Sequence, residues 1–284
     1  LEIFTTKIAL DTYLAAYRLS NRRIGFVATM GALHEGHLAL IKEAIKDTDL
    51  TVCSIFVNPT QFNDPADLAK YPRPIEKDIA LLQSAKCDAL FLPTVEEMYP
   101  EEREKWELDL GNLDKIWEGA KRPGHYQGVT QIVKKLFDAV RPTTAFFGQK
   151  DFQQCMVVQH MVDQLGLSVQ LKIVETVRDP DGLAMSSRNV RLSPEGRENA
   201  LALSQALFMV KKKFKEGEAL LDLKKKAVDF LQQSPGVELE YFAICSTDTL
   251  TEVEILEIND NSLVAILAAW VDGVRLIDNV LLNR

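Results

Sequence analysis

Two histidines, two glutamines, a lysine and an arginine stand in this chain where short apolar runs give way to glycine-bearing or polar turns. His34 and His37 are three residues apart in the stretch TMGALHEGH, residues 29–37. On a helix that spacing puts both imidazoles on one face, within reach of one phosphate group. Gly31 and Gly36 permit a sharp turn and a close approach of backbone to ligand, and the first turn of a helix offers unpaired amides at the positive end of its dipole. One reading is a nucleotide-phosphate site; another is a structural turn carrying a surface histidine pair, and the stretch alone leaves both open. A zinc site fits poorly, because metalloprotease helices place two histidines four apart around a glutamate and no further ligand cluster lies nearby.

Further along, Asn58 and Gln61 follow the apolar run 50–57 in the order NPTQF. That is the carboxyl end of a strand, where ligands sit in open parallel sheets, although Asn-Pro also starts turns. Arg122 and His125 lie in KRPGHYQG, residues 121–128. Its glycines and polar groups suit a loop closing over a phosphate, with Arg122 and His125 facing it; a solvated basic turn fits equally. Lys150, after the run 144–147, offers a point charge to a phosphate, and Gln154 one turn on can hydrogen-bond a substrate from the same helix face. Ser186, Ser187 and Arg188, in LAMSSRNVRL at 183–192, combine hydroxyl donors with a fixed guanidinium fork suited to phosphate oxygens. Taken alone, an arginine ion pair and a serine cap explain them as well.

The elements that must position these groups read as an α/β protein. Strand-like runs at 24–29, 50–57, 89–92, 144–147 and 168–174 alternate with helical patterns at 37–46, 75–85, 129–140 and 152–165, the signature of crossover units around a parallel sheet. Residues 64–73 carry prolines and read as a loop that covers the site, and 106–114 give no clear pattern. The turn-rich stretch RDPDG at 178–182 marks a joint, so the chain divides into residues 1–176 and 177–284. In the second part, 193–233 read as helical and 239–244, 253–258, 264–270 and 274–280 as strands, a smaller α+β domain.

Composition narrows the function classes. A net charge of −8 argues against a nucleic-acid binder, which needs a basic patch to replace counterions. No window reaches the apolar length of a membrane span, and LEIFTTKIALDTY is too polar for a secretory signal, so a cytoplasmic protein is expected. Cys53, Cys87, Cys155 and Cys245 are widely spaced without a CxxC pair, which fits reduced thiols filling a core rather than disulfides or zinc ligands.

With these residues laid out, the sequence resembles the pantothenate synthetase (pantoate–beta-alanine ligase) family over nearly its whole length. The family's TMGALHEGH stands at 29–37, FVNPTQF at 56–62, YPR at 71–73, RPGH at 122–125 followed by Gly128, FGxKDxQQ at 147–154 and DGLAMSSRN at 181–189. Six motifs in the right order are far more specific than any one of them. RLIDN at 275–279 also looks like the family's C-terminal strand, while Val190-Arg191-Leu192 departs from relatives that often carry an aromatic residue at the middle position.

The resemblance implies a homodimer of two-domain chains. The larger domain, 1–176, would be a Rossmann-like nucleotidylyltransferase fold of HxGH type that binds ATP and pantoate, and the smaller, 177–284, an α+β lid. ATP would lie along Met30, Gly31, Ala32, Leu33, His34, Glu35, Gly36 and His37, with Gly148, Gln149, Lys150, Asp151, Val177, Met185, Ser186, Ser187 and Arg188 completing its site. Gln61 and Gln154 would bind pantoate, Gln61 also reaching the beta-alanine site, with Asn58 and Arg122 as further substrate contacts. His34, His37, Lys150 and Arg188 carry the catalysis in this reading: the histidines meet charge developing on the phosphates, His37 also serving the family as proton donor, and Lys150 and Arg188 hold the beta and gamma groups. Mg2+ is expected with ATP, its protein ligands unknown, Glu76 and Asp78 being the acidic candidates. The serine–arginine loop would close over ATP and shield an acyl adenylate from water.

Overall fold

Strand β2 (Ile24–Thr29) is central because five of its six residues are buried, their side chains alternating between two hydrophobic clusters. Ile24 and Phe26 join one cluster and Val27 the other, as the two-residue period of a strand covered on both faces requires. The computed structural model describes residues 1–62, 65–100, 105–255 and 262–282, with residues 65–67 described by backbone alone.

In chain order, β1 (Glu2–Phe4) and helix α1 (Lys7–Leu19) precede β2. After it come α2 (Glu35–Asp47), β3 (Leu50–Ile55), α3 (Pro65–Lys70), α4 (Ile75–Ser84), β4 (Ala89–Phe91), α5 (Val95–Met98), α6 (Trp117–Lys121), α7 (His125–Val140), β5 (Thr144–Gly148), α8 (Phe152–Gln164) and β6 (Gln170–Val174). The six strands form one parallel sheet in the order β1-β4-β3-β2-β5-β6. The chain fills the sheet outward from β2 through β3 to β4, then restarts at β5 on the other side of β2. The carboxyl ends of β2 and β5 therefore flank the point where strand order reverses, the place where open α/β sheets bind ligands.

The rest of the chain is α9 (Pro194–Asn199), α10 (Leu201–Lys215), α11 (Leu220–Gln233), and strands β7 (Val237–Ser246), β8 (Leu263–Val271) and β9 (Val274–Leu282), an antiparallel sheet of order β7-β8-β9. Leu203, Leu207 and Val210 of α10 and Leu223, Ala227 and Leu231 of α11 share a core with this sheet's Phe242, Ile244, Leu267 and Val280. The molecule divides into two compact units, one of residues 1–149 and 153–175, the other of residues 150–152 and 176–284.

Three expectations change. Residues 65–70 of the supposed loop form α3, whose opening Pro65 sits at a helix start, where its missing N–H costs nothing; Asp64 lies outside the described residues. Of the expected strand at 253–258, residues 253–255 are not in a strand, and only a single bridge from Glu252 to Cys245 and the bond from Val253 N to Ile244 O touch the edge of β7; residues 256–258 lie outside the described residues. The supposed loop 121–128 shrinks to three residues, because α6 ends at Lys121 and α7 starts at His125, with Gly124 reversing the chain at φ +79°. β1 and α1 carry no expectation from sequence: β1 is three residues of mostly exposed edge, and α1 buries only Leu10 and Leu14.

Candidate active site

The turn between β2 and α2 is held from beneath. Gly31 and Ala32 are both left-handed, at φ +82° and +50°. For alanine that conformation costs about 1–2 kcal/mol. The carboxyl group of Asp78, on α4 and fully buried, offsets it: its two oxygens accept from Ala32 N and Leu33 N, each at 2.8 Å. At about 1 kcal/mol net per bond the two together match the strain. Gly31 N donates to Thr29 Oγ1 at 3.2 Å, and that hydroxyl donates to Ser54 O on β3.

His34 is the N-cap of α2 and not a helical residue. Its Nδ1 accepts from Gly36 N at 3.2 Å, while Nδ1 of His37 accepts back from His34 N at 3.3 Å. The two ring centroids are 4.1 Å apart, with the planes tilted by 45°. A ring that accepts at Nδ1 in its neutral form carries its proton on Nε2, so the cap sets the tautomer of both. These bonds also narrow the expectation of unpaired amides. The N–H groups of Gly31, Ala32, Leu33, His34, Gly36, His37 and Leu38 are each engaged within the protein.

The same sheet edge carries Gln61, at the end of a short 3-10 turn (Pro59–Gln61) after β3. Its Nε2 donates to Met30 Sδ at 2.9 Å, tying it to the residue that opens the histidine turn. Its Oε1 accepts from Asn58 Nδ2 at 3.2 Å. Asn58 is 1 % exposed, and its amide is spent inside the protein: Nδ2 also donates to Gly128 O, and Oδ1 accepts from Thr60 N, Thr60 Oγ1 and the Tyr99 hydroxyl. Asn58 thus braces Gln61, where sequence had suggested a substrate contact.

His125 and Arg122 serve the same residue. His125, buried, donates from Nδ1 to Gln61 O at 2.8 Å, which leaves Nε2 to accept from Arg122 Nη1 at 3.1 Å. Arg122 Nη2 reaches the same carbonyl at 3.4 Å. His125 therefore faces Gln61 and Arg122, where sequence had it facing a phosphate. Gly128 lets α7 approach this turn: a Cβ there would lie 2.4 Å from Thr60 O and 2.9 Å from Gln61 N.

Gly148 and Gln149 leave β5 at this edge, Gln149 nearly buried. Gln154, half-buried, is on the first turn of α8. Its neighbour Gln153 is buried and structural, binding Leu113 O, Ile116 O and Glu118 N.

In the second unit, Lys150 lies loosely beside Asp151, Nζ to Oδ1 being 3.6 Å. Its carbonyl accepts from Asn279 Nδ2 at 2.8 Å. The preceding residue, Asp278, 4 % exposed, grips Arg178 through two bonds of 2.6 and 2.9 Å, and Arg178 also reaches Gly182 O and Asn279 O. Met185 N donates to Val177 O, closing a hairpin whose turn holds Asp179 and Asp181 against Arg197. That guanidinium keeps the Asp181 carboxyl below the usual carboxylate range. Beyond the hairpin, Ser186 Oγ accepts from Arg188 N, and Ser186 to Arg188 are half-buried.

Sequence reasoning missed Tyr99, the close approach at Gly128, the Arg178–Asp278 pair and the work of Asp78. For Asp78 a signal existed: it falls on the helix face of Ile75, Ile79 and Leu82, and a carboxyl on an apolar stripe needs buried donors. Among the described residues no group of three or more His, Cys, Asp or Glu suits a metal ion, and no helix is long and apolar enough to cross a membrane.

The chain matches the model of the family described as Pantoate-beta-alanine ligase over residues 2–281. It is 45 % identical to the pantothenate synthetase of Bacteroides thetaiotaomicron over 271 residues, 95 % of each chain. Among solved structures it is similar to the pantothenate synthetase of Thermus thermophilus, with a TM-score of 0.94, 41 % identity and complete coverage of both chains. It is also similar to the pantoate-beta-alanine ligase of Francisella tularensis complexed with beta-gamma ATP and beta-alanine, with a TM-score of 0.80, 32 % identity and coverage of 99 % of this chain and 97 % of that one. With the histidine cap and its braced glutamine at the reversal point of a parallel sheet, this full-length agreement means that the chain belongs to the pantoate-beta-alanine ligase family.

Proposed function

We propose that the chain carries out its family's ligation, joining (R)-pantoate to beta-alanine with ATP cleaved to AMP and diphosphate, through the groups gathered around the His34 turn. The observation that supports the assignment is two imidazoles accepting at Nδ1 within their own helix cap, on the turn opened by Met30, whose sulfur accepts from the buried Gln61. In the first step a carboxylate oxygen of pantoate bonds to the alpha-phosphorus of ATP as the bond to the diphosphate oxygen breaks, giving pantoyl adenylate. In the second, the amine of beta-alanine bonds to the acyl carbon, the bond to AMP breaks and the nitrogen loses a proton.

In-line attack at phosphorus asks for positioning and charge stabilisation more than for covalent help. The Nε2–H groups of His34 and His37 supply donors to the phosphate oxygens as charge moves onto them. A neutral amide suits pantoate because it donates to and accepts from hydroxyls without trapping the carboxylate in an ion pair, which assigns Gln61 and Gln154 to that substrate. Asn58, Arg122 and His125 hold Gln61 in place. The resemblance gives Lys150 and Arg188 the beta and gamma phosphates, with Ser186 and Ser187 completing the ATP site. Magnesium, expected with ATP, would be held by the phosphates of that substrate and would neutralise their charge.

The test is AMP release from ATP that requires both pantoate and beta-alanine. His37→Ala keeps the fold and loses diphosphate release from ATP and pantoate by about 10²-fold, the scale of one transition-state donor. Diphosphate release at the parent rate by that variant would refute the role given to His37.

A further inference from the structure

The turn that presents the two histidines has no cap donor or glycine run strong enough to explain its shape by itself. Two successive left-handed residues, one of them alanine, are separated from the N-cap histidine by Leu33 alone. The group that fits this shape is Asp78, which comes from a different helix, 46 residues later. It is 0 % exposed, both of its oxygens accept from the turn, and its Oδ2 sits 3.0 Å from where a Cβ on Gly31 would lie. We infer that Asp78 is a positioning residue for adenylate formation, acting through the Ala32 and Leu33 amides to hold His34 at the helix cap and both imidazoles in the Nε2–H form. The inference rests on the assignment of that histidine pair to the ATP phosphates.

The chemistry of the brace is specific. Two consecutive backbone N–H groups point at one side chain, so both of its terminal atoms must accept. A carboxyl group offers two acceptors on one carbon; an asparagine of the same shape offers one, and its NH2 meets the second backbone N–H head on. With one bond lost, Ala32 is free to leave the left-handed region, which alanine disfavours, and His34 moves with it. A displacement near 1 Å at a catalytic group costs about 10²-fold in rate. The turn bears most on the first step, in which phosphorus is attacked and diphosphate leaves; in the second the bond changes centre on the acyl carbon as AMP departs.

The experiment separates the two half-reactions in Asp78→Asn. Diphosphate release from ATP and pantoate is expected to fall about 10²-fold. Conversion of supplied pantoyl adenylate by beta-alanine is expected to fall by less, about tenfold at most, since phosphorus is not attacked in that step. Nitrogen-15 spectra of the imidazoles provide a readout that general destabilisation would not move: the parent shows both rings unprotonated at Nδ1, and the variant shows a tautomer mixture for His34 and His37. Should Asp78→Asn fold poorly, the double variant Asp78→Asn, Ala32→Gly takes its place. Glycine removes the penalty at φ +50°, so adenylation is expected to recover about fivefold over Asp78→Asn, or over Asp78→Ala if that is the only folded single variant. Equal losses in both half-reactions, or an unchanged adenylation rate with unchanged imidazole spectra, would overturn the inference. If the spectra change while His37→Ala adenylates normally, the brace stands as geometry and the phosphate assignment of the histidines is what fails; the positioning role falls with it.

Discussion

Single residues in this site act mostly on other residues. Asn58, His125 and Arg122 have the hydrogen-bonding capacity of substrate ligands, yet they converge on the side chain or carbonyl of Gln61. Sequence made the types and the spacing of these groups legible, since His, Gln, Lys and Arg at strand ends announce anion and carboxylate chemistry. It did not reveal their partners, because a side chain's donors look the same whether they meet a ligand or a carbonyl 61 to 70 residues away. Gly128 is the most direct to test. A Cβ there meets backbone, at 2.4 Å from Thr60 O and 2.7 Å from Thr60 C, which cannot swing aside as a flexible side chain would. Gly128→Ala is expected to push the Gln61 turn away from α7, raise the KM for pantoate about tenfold or more and lower stability by about 1–3 kcal/mol, the range for overpacking. Pantoate saturation curves and a urea melt measure both.

At the scale of elements, the apolar runs announced five of the six parallel strands: β2, β3, β4 and β5 are largely buried on both faces and so read as nearly continuous apolar runs, while β6, with no residue fully buried, shows a weaker one. The sixth, β1, is an edge strand of three residues, too short and too exposed to show a pattern. α3 stayed hidden for the opposite reason, its proline being read as a loop former when the first helical position accepts it. Strand β9 shows how one element does two jobs through adjacent residues: Asp278 binds Arg178 at the root of the serine–arginine hairpin, and Asn279 binds the carbonyl of Lys150. Asp278 is almost wholly buried and Arg178 mostly so. Removing the carboxylate strands a buried guanidinium, so Asp278→Ala should cost about 3–5 kcal/mol, read as a shift of the urea midpoint. A shift of less than about 1 kcal/mol would mean that Gly182 O, Asn279 O and the Phe208 ring, 4.9 Å from the guanidinium, satisfy the arginine by themselves.

For the molecule as a whole, the two-part organisation was legible as a change from alternating strands and helices to helices followed by strands. That residues 150–152 group with the second unit was not, because nothing in their local pattern differs from their neighbours. The four cysteines report on both units. Every one is buried, and burial pushes the Cys87 and Cys245 thiols up to about 12 and the Cys53 thiol well above its usual range. A thiol reagent at about pH 8, just below the ordinary thiol range, should label none of them in the native protein and all four in urea. Cys53 and Cys87 should become reactive together, because they share one hydrophobic cluster. Mass spectrometry of the labelled peptides follows each site, and labelling of any cysteine in native buffer would contradict the packing.

The histidine cap carries a consequence for anyone seeking a hardier protein. Imidazole is a mediocre helix cap; serine or aspartate at the same place would strengthen α2 by about 1 kcal/mol. On the role proposed for His34 and His37 that gain is barred, since the atoms that finish the helix would be the atoms that orient the catalytic protons. On that proposal the best residue for folding and the best residue for turnover at position 34 are different amino acids, and the helix is weaker than its cap could make it.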